Sequence, residues 1–582
     1  MRQRQRRLRS RYRLFLIWGL LVVVGIGLTC RIAQLQILQG STLASIAQHQ
    51  QAEERPQVIA RNPIVDRLGT PLAVDRLVYT LYGHPALFRQ PISIMAQTLS
   101  PLLDSSPAAI AERLKQQNTG VRLLDGIPEE TARRIQQLRL DGLELVPTHQ
   151  RFYPQQDLFS QIVGFVNLEG QAQTGIEAQY EDRLQDAPSL ASRTHTVAEP
   201  IAYPANPAAL QLQLTLDSRL QRVVQQSLRQ TLRQFGAKRG VCLVMDVHTG
   251  ALHALAVEPT FDPNRYFDAD LAWLKNWAVT DVFEPGSTLK PINIAIALEA
   301  GVITPEEQIY DEGRIIIDEW TIQNANYESA GPGGWLTITD ILKHSSNVGM
   351  VNIMEKLPAQ EFYEWLEKLE IDEPTGIELP AENAVPLKDK SQFVNSTVDV
   401  ATTAFGQGIS LTPIKLLQLQ ATIANGGKLV TPYVVEGVFD EAGTAHWQPS
   451  HPQPKQVFAE TTTQPVLKMM EAVVEEGSGK RAQVPGYRIA GKTGTAQKAT
   501  EAGTYGDTYI TSFIGLLPAQ QPRFAVLALV DEPLGEDVYG STVSAPLVKT
   551  VIETLAVLEG IPPSSPQALG GRFMPEDEPN TP

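Results

Sequence analysis

VCLVMDVHTGALHALAVE, residues 241–258, is apolar on both sides of a His-Thr-Gly turn. Aliphatic runs broken by a glycine turn read as two antiparallel strands. A second hairpin of the same texture lies far downstream in YITSFIGLLPAQQPRFAVLALVDEP (509–533), and a closing helix follows in SAPLVKTVIETLAVLEG (544–560). Upstream, LQLQLTLDSRLQRVVQQSLRQTLRQFG (210–236) predicts a strand, an Asp217 cap and an amphipathic helix. Strands at both ends with helices between them predict an α+β domain, in which terminal helices pack an antiparallel sheet and a helical insert separates its two hairpins.

Inside that insert, EPGSTLKP (284–291) poses a choice. Pro285 and Gly286 make a sharp entry, and Pro291 is tolerated in a first helical turn, where its missing N–H needs no partner. One reading is an N-cap serine followed by a solvated lysine. The other is a nucleophile, Ser287, and its base, Lys290. Residues three apart share a helical face, and burial beside other cations lowers an amine's pKa enough for it to take a serine proton. A helix N-terminus also favours a developing anion and offers the Ser287 backbone N–H to an oxyanion hole.

Ser-x-x-Lys alone is weak, since on the order of one match arises by chance in a chain this long. Two companions change the reading. KHSSNVGM (343–350) places Ser345, Ser346 and Asn347 after the apolar stretch WLTITDIL; by itself it reads as a helix cap and a surface asparagine. YRIAGKTGTAQ (487–497) carries Lys492, Thr493, Gly494 and Thr495, and by itself reads as a polar edge strand with a glycine bulge. Such a strand has a use: glycine lets a ligand backbone lie close, so that a substrate adds as an extra strand. The lysine and the threonine hydroxyls can then hold a substrate carboxylate.

The chain has 582 residues, 43% of them hydrophobic and 19% charged, which is globular and long enough for two or more domains. Its net charge is −15 although residues 1–13, MRQRQRRLRSRYR, carry seven arginines and no acid. The acidic body argues against a nucleic-acid partner, which needs a basic face. Residues 14–30, LFLIWGLLVVVGIGLTC, are uncharged. With Ile32, Ala33 and Leu35 beyond a snorkelling Arg31 they predict a transmembrane anchor over 14–35, with the arginines keeping the N-terminus cytoplasmic and the rest outside. A cleaved signal peptide is the rival, but no small-x-small site follows closely. Gly27, Leu28 and Thr29 are poor neighbours for a lipid-modified Cys30.

Residues 36–210 predict a non-catalytic pedestal. In it RNPIVDRLGTPLAVD (61–75) reads as two short strands around a turn, and GIEAQYEDRLQ (175–185) as a helix with Ile176, Tyr180 and Leu184 on one face. The catalytic domain is expected over 211–561, and the Pro- and acid-rich 562–582 as a disordered tail. Cys30 and Cys242 lack paired spacing, so no disulfide, metal or cofactor is expected.

Ser-x-x-Lys, Ser-x-Asn and Lys-Thr-Gly in this order match the motif set of penicillin-binding proteins and serine β-lactamases, with Ser-Ser-Asn here for Ser-Asp-Asn. NWAVTDVFEPGSTLKP, LKHSSNVGM, AFGQGISLTPIKLLQLQATIANGG, AGKTGTAQKA and VHTGALHALAVEPTFDPN resemble class B penicillin-binding proteins. So do RNPIVDRLGTPLA, RFYP and GIEAQYEDRL in the pedestal, and the resemblance covers close to the whole chain. FEPGST and the closing LALVDEPLG…YGSTVSAP most resemble the division-specific, FtsI-type branch. Trp277 stands where that branch usually has arginine, and Asn62 where the pedestal motif usually has glycine.

The resemblance implies a D,D-transpeptidase that cross-links peptidoglycan. Ser287 would attack the penultimate D-alanine carbonyl of a stem peptide and Lys290 would take its proton. Ser345 would relay a proton to the leaving amine, and Asn347 would bond the substrate amide. Lys492, Thr493 and Thr495 would hold the terminal carboxylate beside Gly494, and the Ser287 and Thr495 N–H groups would form the oxyanion hole. An amine from a neighbouring strand would resolve the acyl-enzyme, and β-lactams would acylate the same serine. An FtsW-type glycosyltransferase, other divisome proteins and the septum follow from the resemblance alone.

A serine β-lactamase would need a water-activating group, and no Glu-x-x-Leu-Asn lies between the second and third motifs. A carboxypeptidase shares all three motifs. Intact Ser287, Lys290 and Lys492 argue against a non-catalytic scaffold, and the lack of a multi-span segment against a β-lactam sensor. A bifunctional class A enzyme would carry a glycosyltransferase motif in residues 31–210. The elongation-specific sister enzyme is the nearest rival.

Overall fold

The computed structural model describes residues 18–34 (apart from 21 and 30), 61–185, 210–499 and 505–564. The chain divides into two compact units, Met1–Ile59 and Ala60–Pro582. In the first, residues 18–20, 22–29 and 31–33 are helical. Among the described residues no helix is long and apolar enough to cross a membrane. Residues 14–17, 21, 30 and 35 of the expected anchor lie outside the described residues, as do the arginine tail and residues 565–582. The start of the expected disordered tail is instead held in place: Ser564 N–H donates to Gly486 O (2.8 Å), and its Oγ accepts from Gln520 Nε2 (2.8 Å).

In the second unit, the Asp-Arg-x-Gly segment forms β1 (Ile64–Val65), a turn and β2 (Pro71–Gly83). The Asp66 carboxylate closes the turn by accepting from the N–H groups of Leu68 (2.9 Å) and Thr70 (2.7 Å). β2 is not short: it runs 13 residues, because β3 (Val121–Pro128) and β4 (Leu143–Phe152) pair along its two edges. The helices α1 (Ile92–Leu103), α2 (Pro107–Leu114) and α3 (Glu129–Gln137) share a core with these strands through Leu81, Leu99, Leu114, Leu123 and Ile135. β5 (Gln211–Leu214) pairs parallel with β1, so one sheet runs across the expected border at residue 210.

The GIEAQYEDRLQ segment forms two short helices, Gly175–Gln179 and Glu181–Gln185, broken at Tyr180, rather than the single helix expected. Ile176 and Leu184 are buried as expected, while Tyr180 turns its ring onto Trp447 (5.7 Å). Between them the fully buried Glu177 accepts from Arg61 Nε (3.0 Å) and Arg151 Nε (2.6 Å), and Arg151 also reaches Asp75 (3.0 Å). Two distant segments, RNP and RFYP, are thus tied to one carboxylate of a third. Removing one partner of a buried ion network leaves the others uncompensated, so Glu177→Ala is expected to destabilise this unit by about 3–5 kcal/mol in a denaturant titration. Asn62, in place of glycine, joins the same knot: its N–H donates to Leu184 O (2.7 Å) and its Nδ2 to Arg183 O (3.1 Å).

The opening hairpin is β6 (Arg239–Asp246) and β7 (Leu252–Glu258). The downstream hairpin is β17 (Tyr505–Leu517) and β18 (Phe524–Asp531), with β16 (Ala490–Ala499) at its free side. The antiparallel order is β16-β17-β18-β6-β7, so the two hairpins join directly, with Val526 opposite Val244. α4 (Ser218–Gln234) and α10 (Ser544–Leu558) cover one face; Leu220, Val224 and Leu228 meet Val244, Phe513, Val548 and Ile552. Asp217 caps α4, accepting from Arg219 N–H (2.9 Å).

The insert between the hairpins holds α5 (Lys290–Glu299), α6 (Ile338–His344), α7 (Asn347–Met354), α8 (Pro413–Ala424) and α9 (Glu460–Glu475). Every residue of α8 is buried, and each fully buried leucine or isoleucine contributes roughly 1.5–3 kcal/mol. The insert is not wholly helical. β8 (Gln308–Asp311) pairs with β11 (Gly334–Thr337), β9 (Arg314–Ile317) with β10 (Trp320–Gln323), and β12 (Lys428–Leu429) with β15 (Lys455–Gln456). Strands of two to four residues are too short to show a period in sequence. β13 (Val435–Phe439) and β14 (Ala445–Trp447) return to the first sheet beside β5.

Candidate active site

Gly286–Leu289 is a 3₁₀ turn that runs straight into α5, whose first residue is Lys290. Ser287 therefore lies inside the turn and caps nothing. Lys290 is fully buried, so neither half of the capping reading holds. The turn is anchored at its entry. Gly286 N–H donates to Gly406 O (2.9 Å), and a Cβ on Gly406, whose φ is +86°, would stand 2.1 Å from Gly286 O. The glycine of AFGQG is thus required by backbone lying on backbone. Gln420, from the buried α8, donates to Thr288 O (2.7 Å) and fixes the turn from behind.

The Lys290 amine makes no hydrogen bond to Ser287. It donates to Ser345 O (2.7 Å), Asn347 Oδ1 (2.8 Å) and Ser346 O (3.1 Å), and lies 3.3 Å from Ser345 Oγ. Among the described residues the half-buried Ser287 hydroxyl has no hydrogen bond. Nucleophile–base contacts are commonly loose in an empty site and tighten on substrate.

The second motif is a helix–helix junction. Ser345 ends α6 in the left-handed region (φ 59°, ψ 39°), and Ser346 caps α7 by accepting from Gly349 N–H (2.7 Å). The cap reading therefore holds for Ser346. Asn347, half-buried, is held at both ends: Oδ1 by Lys290 and Nδ2 by Gln323 O (3.1 Å).

The third motif lies on β16, the edge of the catalytic sheet, as expected. No bulge interrupts it at Gly494: pairing with β17 is unbroken from Ala490 opposite Leu516 to Gln497 opposite Tyr509. The glycine serves the close approach of the protein's own elements. A Cβ there would stand 2.3 Å from Ser512 Oγ and 3.0 Å from Thr288 Cγ2. Lys492, fully buried, donates to Thr493 O (2.8 Å) and Ser345 Oγ (3.0 Å). Thr495 Oγ1 accepts from Gly540 N–H (3.0 Å), which leaves the hydroxyl proton free for a ligand.

The structure thus brings two buried amines onto one hydroxyl, Ser345 Oγ. Burial, then the neighbouring Lys492 charge, push the Lys290 amine well below the usual lysine range, and Asp311 acts in the opposite sense. Burial brings Lys492 down to about 7. Such a pair holds one proton more readily than two. Three acceptor-only oxygens, Ser345 O, Ser346 O and Asn347 Oδ1, surround the Lys290 amine and suit its protonated form.

Residues 240–553 match the penicillin-binding protein transpeptidase domain, and residues 56–196 the penicillin-binding protein dimerisation domain. The chain belongs to the class B penicillin-binding proteins. It is 36% identical to the peptidoglycan D,D-transpeptidase FtsI homolog of Mesostigma viride over 95% of this chain and 97% of that protein. It is 29% identical to peptidoglycan D,D-transpeptidase FtsI of Escherichia coli (strain K12) over 93% of this chain and 91% of that protein. Among solved structures it resembles penicillin-binding protein 3 of Mycobacterium tuberculosis complexed with aztreonam, with a TM-score of 0.66 and 26% identity over 88% of this chain and 98% of that one. It is a serine acyltransferase of the FtsI type.

Several residues of this penicillin-binding protein's site escape sequence reasoning. Glu284 accepts from Gly408 N–H (2.9 Å) and Tyr505 OH (3.0 Å), tying the entry of the Ser287 turn to two other segments, and burial pushes its carboxyl up. Ser478 shares a hydrogen bond with Thr493 Oγ1 (2.8 Å). The Glu-Pro-Gly-Ser run was the only available signal for Glu284; nothing in sequence singles out Ser478. Trp277, in place of arginine, lies under the Arg239 guanidinium (4.4 Å).

Proposed function

We propose that this peptidoglycan D,D-transpeptidase works at the division septum through a Ser287 acyl-enzyme. Ser287 Oγ attacks the penultimate D-alanine carbonyl, Lys290 accepts its proton, and Ser345, between the two amines, passes a proton to the departing D-alanine. Asn347 bonds the donor amide. Lys492, with Thr493 and Thr495, holds the terminal carboxylate while the donor lies along β16 past Gly494. The Ser287 and Thr495 N–H groups stabilise the oxyanion. An amine from a second stem peptide then takes the acyl group and completes the cross-link. β-Lactams, with which the mycobacterial relative is complexed, are expected to stop at the acyl stage.

We assign residues 1–13 to the cytoplasm, 14–35 to a membrane anchor, 36–210 to the pedestal and 211–561 to the extracytoplasmic catalytic domain. An FtsW-type glycosyltransferase and other divisome proteins are the partners this arrangement suits.

The observation that carries the reading is the convergence of Lys290 and Lys492 on Ser345 Oγ beside the Ser287 turn. The test is peptide mapping after reaction with a penicillin. One intact penicillin is expected on the peptide containing Ser287. An adduct elsewhere, or none, overturns the assignment.

A further inference from the structure

We propose that Asp311 and Asn324, buried residues ahead of the second motif, are positioning residues for acylation that hold Ser345 and Asn347 in place around Lys290. The proposal rests on the reading of the site given above. Neither residue touches Ser287, so neither is a catalytic residue.

The Asp311 carboxylate, at the end of β8, is fully buried. It accepts from Ser346 Oγ (2.5 Å), from Gly313 N–H (2.7 Å) and from Asn324 Nδ2 (3.0 Å to each oxygen). Asn324, which follows β10, in turn accepts at Oδ1 from Asn347 N–H (2.8 Å) and Val348 N–H (3.1 Å). Two orphan donors of the first turn of α7 are therefore satisfied from outside the helix, and a third by the Ser346 cap. Ser346 Oγ has one proton, and the shorter contact gives it to Asp311.

This cradle explains how a non-glycine residue keeps a left-handed backbone at position 345. Such conformations persist only where the surroundings over-determine them. On the α6 side, Ser345 and Ser346 N–H donate to Leu342 O (3.2 Å) and Ile341 O (2.9 Å). On the α7 side, Asp311 and Asn324 fix the next three residues. The carbonyls of Ser345 and Ser346 and the Asn347 amide are the groups that hold the Lys290 amine, so a slip of the junction misplaces the base. Asp311 also places a carboxylate within the field of Lys290. The charged groups acting on that amine are Lys492 from β16 and Asp311 from β8, with opposite effects.

The test compares Asn324→Ala and Asp311→Asn with the unaltered full chain, measuring the acylation rate constant with a fluorescent penicillin across pH, the fraction of chains that become acylated, and thermal unfolding. Asn324→Ala is expected to slow acylation on the order of tenfold or more, since buried donors are left unmade at the junction. Its acid limb should stay in place, because the carboxylate is kept. Asp311→Asn should slow acylation comparably and also move the acid limb to lower pH, because a charge favouring the ammonium form of Lys290 is gone. A purely structural role would lower the acylated fraction along with the folded fraction and leave the rate constant and the limb of the remaining chains unchanged; that result overturns the proposal. Wild-type rates in both variants, with the adduct on Ser287, overturn it alone. An adduct away from Ser287 in the unaltered chain overturns the underlying site reading and this proposal together.

Discussion

Ser287→Ala is expected to abolish covalent labelling by a fluorescent penicillin while changing stability by no more than about 0.5 kcal/mol. The hydroxyl is half-buried and makes no hydrogen bond among the described residues, so its loss leaves no partner stranded. The site also contains a better-connected serine. Ser345 Oγ lies 3.3 Å from one lysine amine and 3.0 Å from the other. On contacts alone Ser345 would be the nucleophile. Against that, it sits at a helix junction in a strained backbone, while Ser287 lies in the turn that leads into α5, where its own N–H is proposed to meet the developing anion. Ser345→Ala should therefore slow labelling without abolishing it, the loss falling in the roughly 10²–10⁴-fold range of a proton-transfer group. If labelling instead survives in Ser287→Ala and vanishes in Ser345→Ala, the roles of the two serines are exchanged.

What the sequence could and could not reveal follows from the range of each interaction. The two hairpins were legible because apolar runs broken by a turn, His-Thr-Gly in one and Pro-Ala-Gln-Gln-Pro in the other, are local signals; that they join through β6 and β18 was not. The three motifs were legible as chemistry because Ser, Lys, Asn and Thr at fixed spacings are rare together. The direction of Lys290 was not: three residues from Ser287 it should share a helical face, but the 3₁₀ turn ends at Leu289 and the amine is taken by acceptors at 345–347. Gly494 shows the same limit. Its need for space was readable, but whether a ligand or Ser512 fills that space depends on the neighbouring strand. Asp311 and Asn324 gave no signal, because a buried carboxylate in a four-residue strand looks in sequence like any surface turn. The break at Tyr180 was hidden for a related reason: the face containing Ile176 and Leu184 was read correctly, while Glu177 was drawn inward by arginines more than twenty residues away or further.

Lys290→Met is expected to slow acylation by about 10²–10⁴-fold and to leave the protein folded. Two opposing terms decide the stability. Methionine fills much of the lysine's volume and removes the penalty of burying an amine, the penalty seen in how far burial lowers this group's pKa. It also strands Ser345 O, Ser346 O and Asn347 Oδ1, each unmade bond costing about 1–3 kcal/mol where water cannot enter. Asn347 can swing toward solvent, so the net change should stay small beside the loss of activity, and thermal unfolding checks this. The pH profile then separates the two lysines. In the unaltered chain acylation should rise as pH climbs through the titration of Lys290, because only the neutral amine can accept the serine proton. A falling limb should mark Lys492, brought by burial to about 7, as it loses the charge proposed to grip the ligand carboxylate. The two amines share Ser345 Oγ, so the limbs belong to the pair as well as to each residue. Lys290→Met should erase the rising limb and keep the falling one. A variant that retains the rise, or acylates at the unaltered rate, would show that some other group takes the proton from Ser287.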